Sequence, residues 1–99
     1  MISLGIYKIS GDSMLPNYKS RDFVLTYRRP LEKLINGDVI VVKHDHYGII
    51  IKRILNIDTL KHLTLIGDNS ALSTDSENLG LVSFEQVLGK VVFHIATPC

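Results

Sequence analysis

Residues 39–57 restrict the fold most. Two runs of β-branched and aliphatic side chains, Val39-Ile40-Val41-Val42 and Ile49-Ile50-Ile51, flank the turn-forming His44-Asp45-His46-Tyr47-Gly48. Short apolar runs of this composition bounded by turn formers favour strands, and the segment reads as a β-hairpin pairing residues 39–43 with 49–57. Strand alternation then sets Ile50, Lys52 and Ile54 on one face and Ile49, Ile51 and Arg53 on the other. Lys52 is therefore a cation with apolar neighbours on its own side.

Other segments repeat the pattern. Ile2, Leu4 and Ile6 alternate with smaller or polar residues, residues 21–27 carry Phe23 and Leu25 on one face, and 63–66 and 90–95 are further apolar runs. Residues 28–36 read as a polar connection crossed by Leu31 and Leu34. Ser83-Phe84-Glu85-Gln86 matches a capping box for a one-turn helix, which Gly89 is expected to close. The expected fold class is mostly β: an antiparallel, partly closed β-barrel-like core with one or two very short helices. With 99 residues, 45% of them apolar and 21% charged, the chain is expected to form one packed domain over residues 1–99.

Composition narrows the function. The net charge is +1 and the basic residues are scattered, so the electrostatic footprint of a nucleic-acid binder is missing. The one cysteine, Cys99, cannot form an intrachain disulfide and reads as a free thiol. No apolar run approaches the roughly 20 residues that span a bilayer, and Met1 to Ile6 lack the positive start of a signal peptide. Cytoplasmic residence without a membrane segment is the expectation. His44-x-His46 lacks a clear third ligand, so no metal and no cofactor are expected, and these two histidines read as solvent-facing turn residues. His62 and His94, in or near strands, leave a Ser-His-Asp arrangement open.

Chemistry concentrates in Ser10-Gly11-Asp12-Ser13-Met14-Leu15-Pro16. Gly11 permits a tight turn after the first strand, and Met14-Leu15 is expected to open a short helical stretch. Ser13 would then sit at a strand-to-helix junction, where free backbone N–H groups stabilise an anion. A serine hydroxyl becomes a good nucleophile only when a neighbouring base takes its proton, and a neutral lysine is one such base. Lysine is protonated at pH 7 unless burial lowers its pKa, which the apolar neighbours of Lys52 can do. Alone, Ser13 also fits an N-cap, and Lys52 a lysine whose stem covers apolar surface.

Together these boxes resemble the Ser-Lys peptidases that include type I signal peptidases and the LexA/UmuD-like self-cleaving repressors. Ser13-Met14-Leu15-Pro16 is similar to the nucleophile box, Gly37-Asp38-Val39 to the Gly-Asp strand and Lys52-Arg53 to the lysine box. Gly67-Asp68-Asn69, Ser73, Asp75-Ser76 and Gly80 reproduce the spacing of a fourth. The resemblance implies Ser13 as nucleophile, Lys52 as general base and Ser73 holding the lysine amine, with Asp68, Asp75 and Ser76 structural. Gly11, Asp12 and Ser13 form the expected oxyanion region and Met14 and Leu15 the expected pocket wall. Gly11 stands where many Gram-negative signal peptidases carry a second serine, Ser70 and Glu77 stand where arginines are usual, and the oxyanion hole is left to backbone donors.

Lys52 follows Ser13 by 39 positions, closer to the repressor branch than to signal peptidases with their inserted β-domain. Twelve residues precede Ser13, without a helix-turn-helix or an Ala-Gly or Cys-Gly cleavage site, so the substrate is expected in trans. The implied function is a serine endopeptidase that removes a leader or pro-segment after a small residue, its protein or peptide substrate bound by strand addition. Short chains of this kind are also similar to the maturation proteases that trim nickel superoxide dismutase. Two alternatives stand beside this: an idle peptide-binding or dimerising module of the same fold, a homodimer being compatible with either, and the soluble core of a membrane signal peptidase.

Overall fold

The computed structural model describes residues 3–28, 34–69 and 79–96. Its strands are β1 (Ser3–Lys8), β2 (Phe23–Arg28), β3 (Val39–His44), β4 (Gly48–Ile57), β5 (His62–Ile66), β6 (Val82–Ser83) and β7 (Val87–Ile95). They build one antiparallel sheet in the order β1-β2-β7-β3-β4-β5-β6. The expected hairpin is β3–β4, with Ile40 opposite Lys52 and Val42 opposite Ile50. β1 to β5 lie within two residues of where the sequence pattern set them; β7 begins earlier, at Val87, and β6 was not expected.

β3 lies between β7 and β4, and its residues Val39, Ile40, Val41 and Val42 are all buried. A strand with apolar residues on both faces is covered on both faces. One core cluster gathers Ile40, Val42, Ile54, Leu63, Leu65, Leu79, Val82 and Val87; the other gathers Ile9, Val24 and Val41, with Tyr7, Tyr18 and Ile51 packed on it.

The mostly-β expectation holds, but the sheet does not close: β1 and β6 are its two edges and do not pair with each other. It curls instead, so that Tyr7 and Lys8 of β1 and Ile49–Lys52 of β4 line one cavity although β2, β7 and β3 intervene. Residue shifts in register at Leu25/Thr26, Val41/Val42 and Ile54/Asn56 mark bulges, which bend strands and increase twist.

The capping box forms. Ser83 N–H donates to Gln86 Oε1 at 3.1 Å, and Phe84–Gln86 make a single 3₁₀ turn. Gly89 does not close it. The turn ends at Val87, and Gly89 lies inside β7 because the backbone there approaches Thr26: a Cβ on Gly89 would stand 2.8 Å from both Thr26 Cβ and Oγ1. Thr26 Oγ1 donates to the Gly5 carbonyl at 3.3 Å, and a Cβ on Gly5 would come within 2.9 Å of that hydroxyl. One threonine is thus held between glycines of the two neighbouring strands. Gly89→Ala is expected to destabilise the fold by about 1–3 kcal/mol through overpacking, measured as a lower urea midpoint with unchanged slope.

Candidate active site

Ser13 lies in the connection from β1 to β2. Its base is closed by Ile9 N–H donating to the Asp22 carbonyl at 2.7 Å and Arg21 N–H donating to the Ile9 carbonyl at 2.8 Å. Asp22, fully buried, accepts from Lys19 N–H at 3.0 Å and bonds His94 Nε2 at 2.7 Å. The expected helix after Ser13 is absent. Residues 13–17 form turns, with Leu15 N–H donating to the Asp12 carbonyl and Tyr18 N–H to the Met14 carbonyl, and the Leu15–Pro16 peptide is cis. Pro16 biases the backbone of Leu15 away from the helical region.

The serine turn is clamped from β5. The chain leaves β5 through Gly67, and Asn69 N–H donates to the Ser13 carbonyl at 2.8 Å while Asn69 Nδ2 donates to the Asp12 carbonyl at 3.0 Å. Asp68 accepts from Asn17 Nδ2 at 2.8 Å and from Arg53 Nε and Nη2, each at 2.7 Å. Arg53 Nη1 also donates to the Gly37 carbonyl at 2.7 Å. The Arg53 hydrogen bonds, helped by Asn17, hold the Asp68 carboxyl below the usual carboxylate pKa, against the opposing effect of burial.

Ser13 and Lys52 line the same cavity, of about 320 Å³. Lys52 is 4% exposed, and among the described residues it makes no ion pair. Burial alone lowers its pKa, the direction a general base requires. Gly11, Asp12 and Ser13 line the cavity too. Gly11 sits at φ +87°, and its N–H is committed to Ser20 Oγ at 3.3 Å. Among the described residues, the Asp12 and Ser13 N–H groups have no such acceptor.

A family model described as Peptidase S24-like matches residues 3–92. The chain belongs to the S24-like peptidase family. A search of the curated proteins returned no match.

In this S24-like chain the sequence boxes divide by position. Ser13 and Lys52 come to one cavity, while Arg53 and Gly67-Asp68-Asn69 stand behind Ser13 as its support. Ser73, Asp75 and Ser76 lie outside the described residues. Met14 and Leu15 are not part of the cavity wall: Met14 is 1% exposed and anchors the turn in the interior, and Leu15 is half-buried beside it. Tyr7, Ile9, Val41, Tyr47, Ile49 and Leu79 form the wall instead. Sequence alternation set Ile49 on the face opposite Lys52 and so did not mark it as a wall residue; Tyr47 comes from a turn, where no periodicity exists, and Leu79 reaches the cavity through tertiary structure.

The histidines correct two expectations. His44 is buried rather than solvent-facing, because its ring bonds the Leu79 carbonyl; His46 is exposed as expected. His62 and His94 face Asp58 and Asp22, and neither lines the cavity with Ser13, so the structure does not assemble a Ser-His-Asp site there. Among the described residues no cluster has a metal's ligand set, and no helix is long and apolar enough to cross a membrane.

Asp68→Asn removes the charge that pairs Arg53, and a loss of about 1–3 kcal/mol at pH 7 is expected for a partly buried pair with further hydrogen bonds. A carboxyl whose folded pKa lies below its ordinary 3.8 stabilises fully above that value and loses its contribution as pH falls through the folded pKa. The wild-type and Asp68→Asn denaturation curves should therefore differ at pH 7 and converge below about pH 3.8.

Proposed function

We propose that the chain is a serine endopeptidase with a Ser13–Lys52 dyad, cleaving a leader or pro-segment from a protein substrate in trans after a small residue. The observation that carries this reading is one cavity lined by Ser13 and a buried lysine that no carboxylate among the described residues neutralises. Ser13 Oγ attacks the scissile carbonyl and gives its proton to the neutral Lys52 amine. The oxyanion accepts hydrogen bonds from the Asp12 and Ser13 N–H groups, and the resulting Lys52 ammonium protonates the leaving amine. Water then gives its proton to Lys52 and displaces the acyl group, returning the Ser13 hydroxyl. Ser73 is assigned to orient the amine on the resemblance alone.

Strand addition is supported by the β4 edge. β5 pairs with β4 only from Arg53 onward, so residues 48–52 have no strand partner on that side among the described residues, and Ile49, Ile50, Ile51 and Lys52 border the cavity. An extended peptide would hydrogen-bond along this edge with its scissile bond at Ser13.

Two measurements test the reading. N-terminal mapping of proteins from cells making the wild type, Ser13→Ala or Lys52→Ala should find ends present only with the wild type; identical sets in all three would sink the peptidase reading. Lys52→Met should abolish cleavage yet raise stability by about 1 kcal/mol near neutral pH, by removing an amine whose charged form burial penalises. Because the folded pKa of Lys52 lies below its ordinary 10.5, the wild type regains stability as pH rises toward that value. The advantage of Lys52→Met should shrink in parallel.

A further inference from the structure

His44 closes the end of β3 and is 7% exposed. Its Nδ1 faces two donors at once, His46 N–H at 3.1 Å and Tyr47 N–H at 3.3 Å, and its Nε2 lies 2.8 Å from the Leu79 carbonyl. One tautomer satisfies all three contacts, with Nδ1 accepting and Nε2–H donating to the carbonyl. The ring joins two parts of the chain that sequence does not bring together: the β3–β4 turn and Leu79.

Both parts contribute to the cavity wall, through Tyr47 and Leu79, while His44 itself stays outside it. Asn69 is tied to the Ser13 turn, and Leu79 is tied by His44 to the β3–β4 turn. Tyr47 is half-exposed and Leu79 is buried, so a shift between them changes the width of the cleft beside the open β4 edge. We infer that His44 is a positioning residue for the substrate cleft: its Nε2–H bond to the Leu79 carbonyl sets the Tyr47–Leu79 wall against which an extended peptide lies. What the cleft holds rests on the peptidase reading; the tie itself does not.

Two amide substitutions separate the two ends of the ring. Asparagine places an acceptor where Nδ1 stands and cannot reach Leu79, whereas glutamine places a donor where Nε2 stands and abandons the turn. The tie is read by NMR, from the Leu79 carbonyl and Gly80 amide shifts, which respond to the hydrogen bond at that carbonyl whether or not a ligand binds. The cleft is read with a tripeptide aldehyde ending in alanine. Its carbonyl carbon bonds Ser13 Oγ, and its oxygen takes the serine proton to give a hemiacetal.

His44→Gln should keep the Leu79 and Gly80 shifts near wild type and bind the aldehyde within about threefold, whereas His44→Asn and His44→Ala should move those shifts and bind at least about tenfold more weakly, the equivalent of about 1.4 kcal/mol. Thermal midpoints identify any variant that fails to fold, and the Gln–Asn contrast is then read between folded variants only. Unmoved shifts in His44→Asn, or aldehyde affinity that follows His44→Asn rather than His44→Gln, would overturn the inference. Shifts that confirm the tie in a wild type that does not bind the aldehyde would overturn the peptidase reading, and with it the cleft role of His44.

Discussion

Arg53 and Asp68 form the contact on which the relation between Ser13 and Lys52 depends. Lys52 and Arg53 are neighbours on β4, so alternation sends one side chain toward the cavity and the other away from it. Arg53 meets both oxygens of Asp68, and a planar guanidinium against a carboxylate fixes angle as well as distance. The next residue, Asn69, holds the backbone of the serine turn at Asp12 and Ser13. The path from base to nucleophile thus runs through two adjacent residues, one ion pair, two more adjacent residues and two hydrogen bonds. A displacement at any step moves Ser13 relative to Lys52.

The same arrangement accounts for a lysine in the interior. Desolvation opposes its charge, and no carboxylate among the described residues offsets that cost. Paired with a carboxylate, Lys52 would be held in its protonated form and could not accept a proton. Arg53 takes the nearby carboxylate of Asp68 instead and is protonated at any working pH. Two adjacent cations are separated in role by the strand face each occupies.

The apolar β-branched runs carried the fold in the sequence, because the central strands are buried on at least one face and alternation leaves a local trace; in β1 the alternating Leu4 and Ile6 are exposed instead. Lys52 was legible for the same reason, as a cation among Ile50 and Ile54. The serine turn was misread as a helix start because Ser-Met-Leu has local helical character, and the clamp from Asn69, 56 positions further on, has no local signature. His44 was read as exposed because turn histidines are usually solvated; its burial depends on the Leu79 carbonyl, brought there by tertiary structure. Gly89 looked like a helix stop and is a point of close approach to Thr26, a contact between strands that single-sequence reasoning does not contain.

Sheet topology and site chemistry meet where β5 leaves β4. Pairing ends with Arg53 opposite Ile66, and buried Gly67 then lets the chain turn out of the sheet. That departure leaves the edge of residues 48–52 without a strand neighbour among the described residues and carries Asp68 and Asn69 across to the serine turn. A longer β5 would satisfy the open edge and pull the clamp away from Ser13. An open edge in an apolar sheet ordinarily invites pairing with other chains. Here the curl of the sheet brings β1 and the serine turn over it, so the edge faces a cavity rather than open solvent. On the proposed reading, an extended peptide enters that recess as the missing strand, and the interruption in β4–β5 pairing is the common origin of substrate site and nucleophile position.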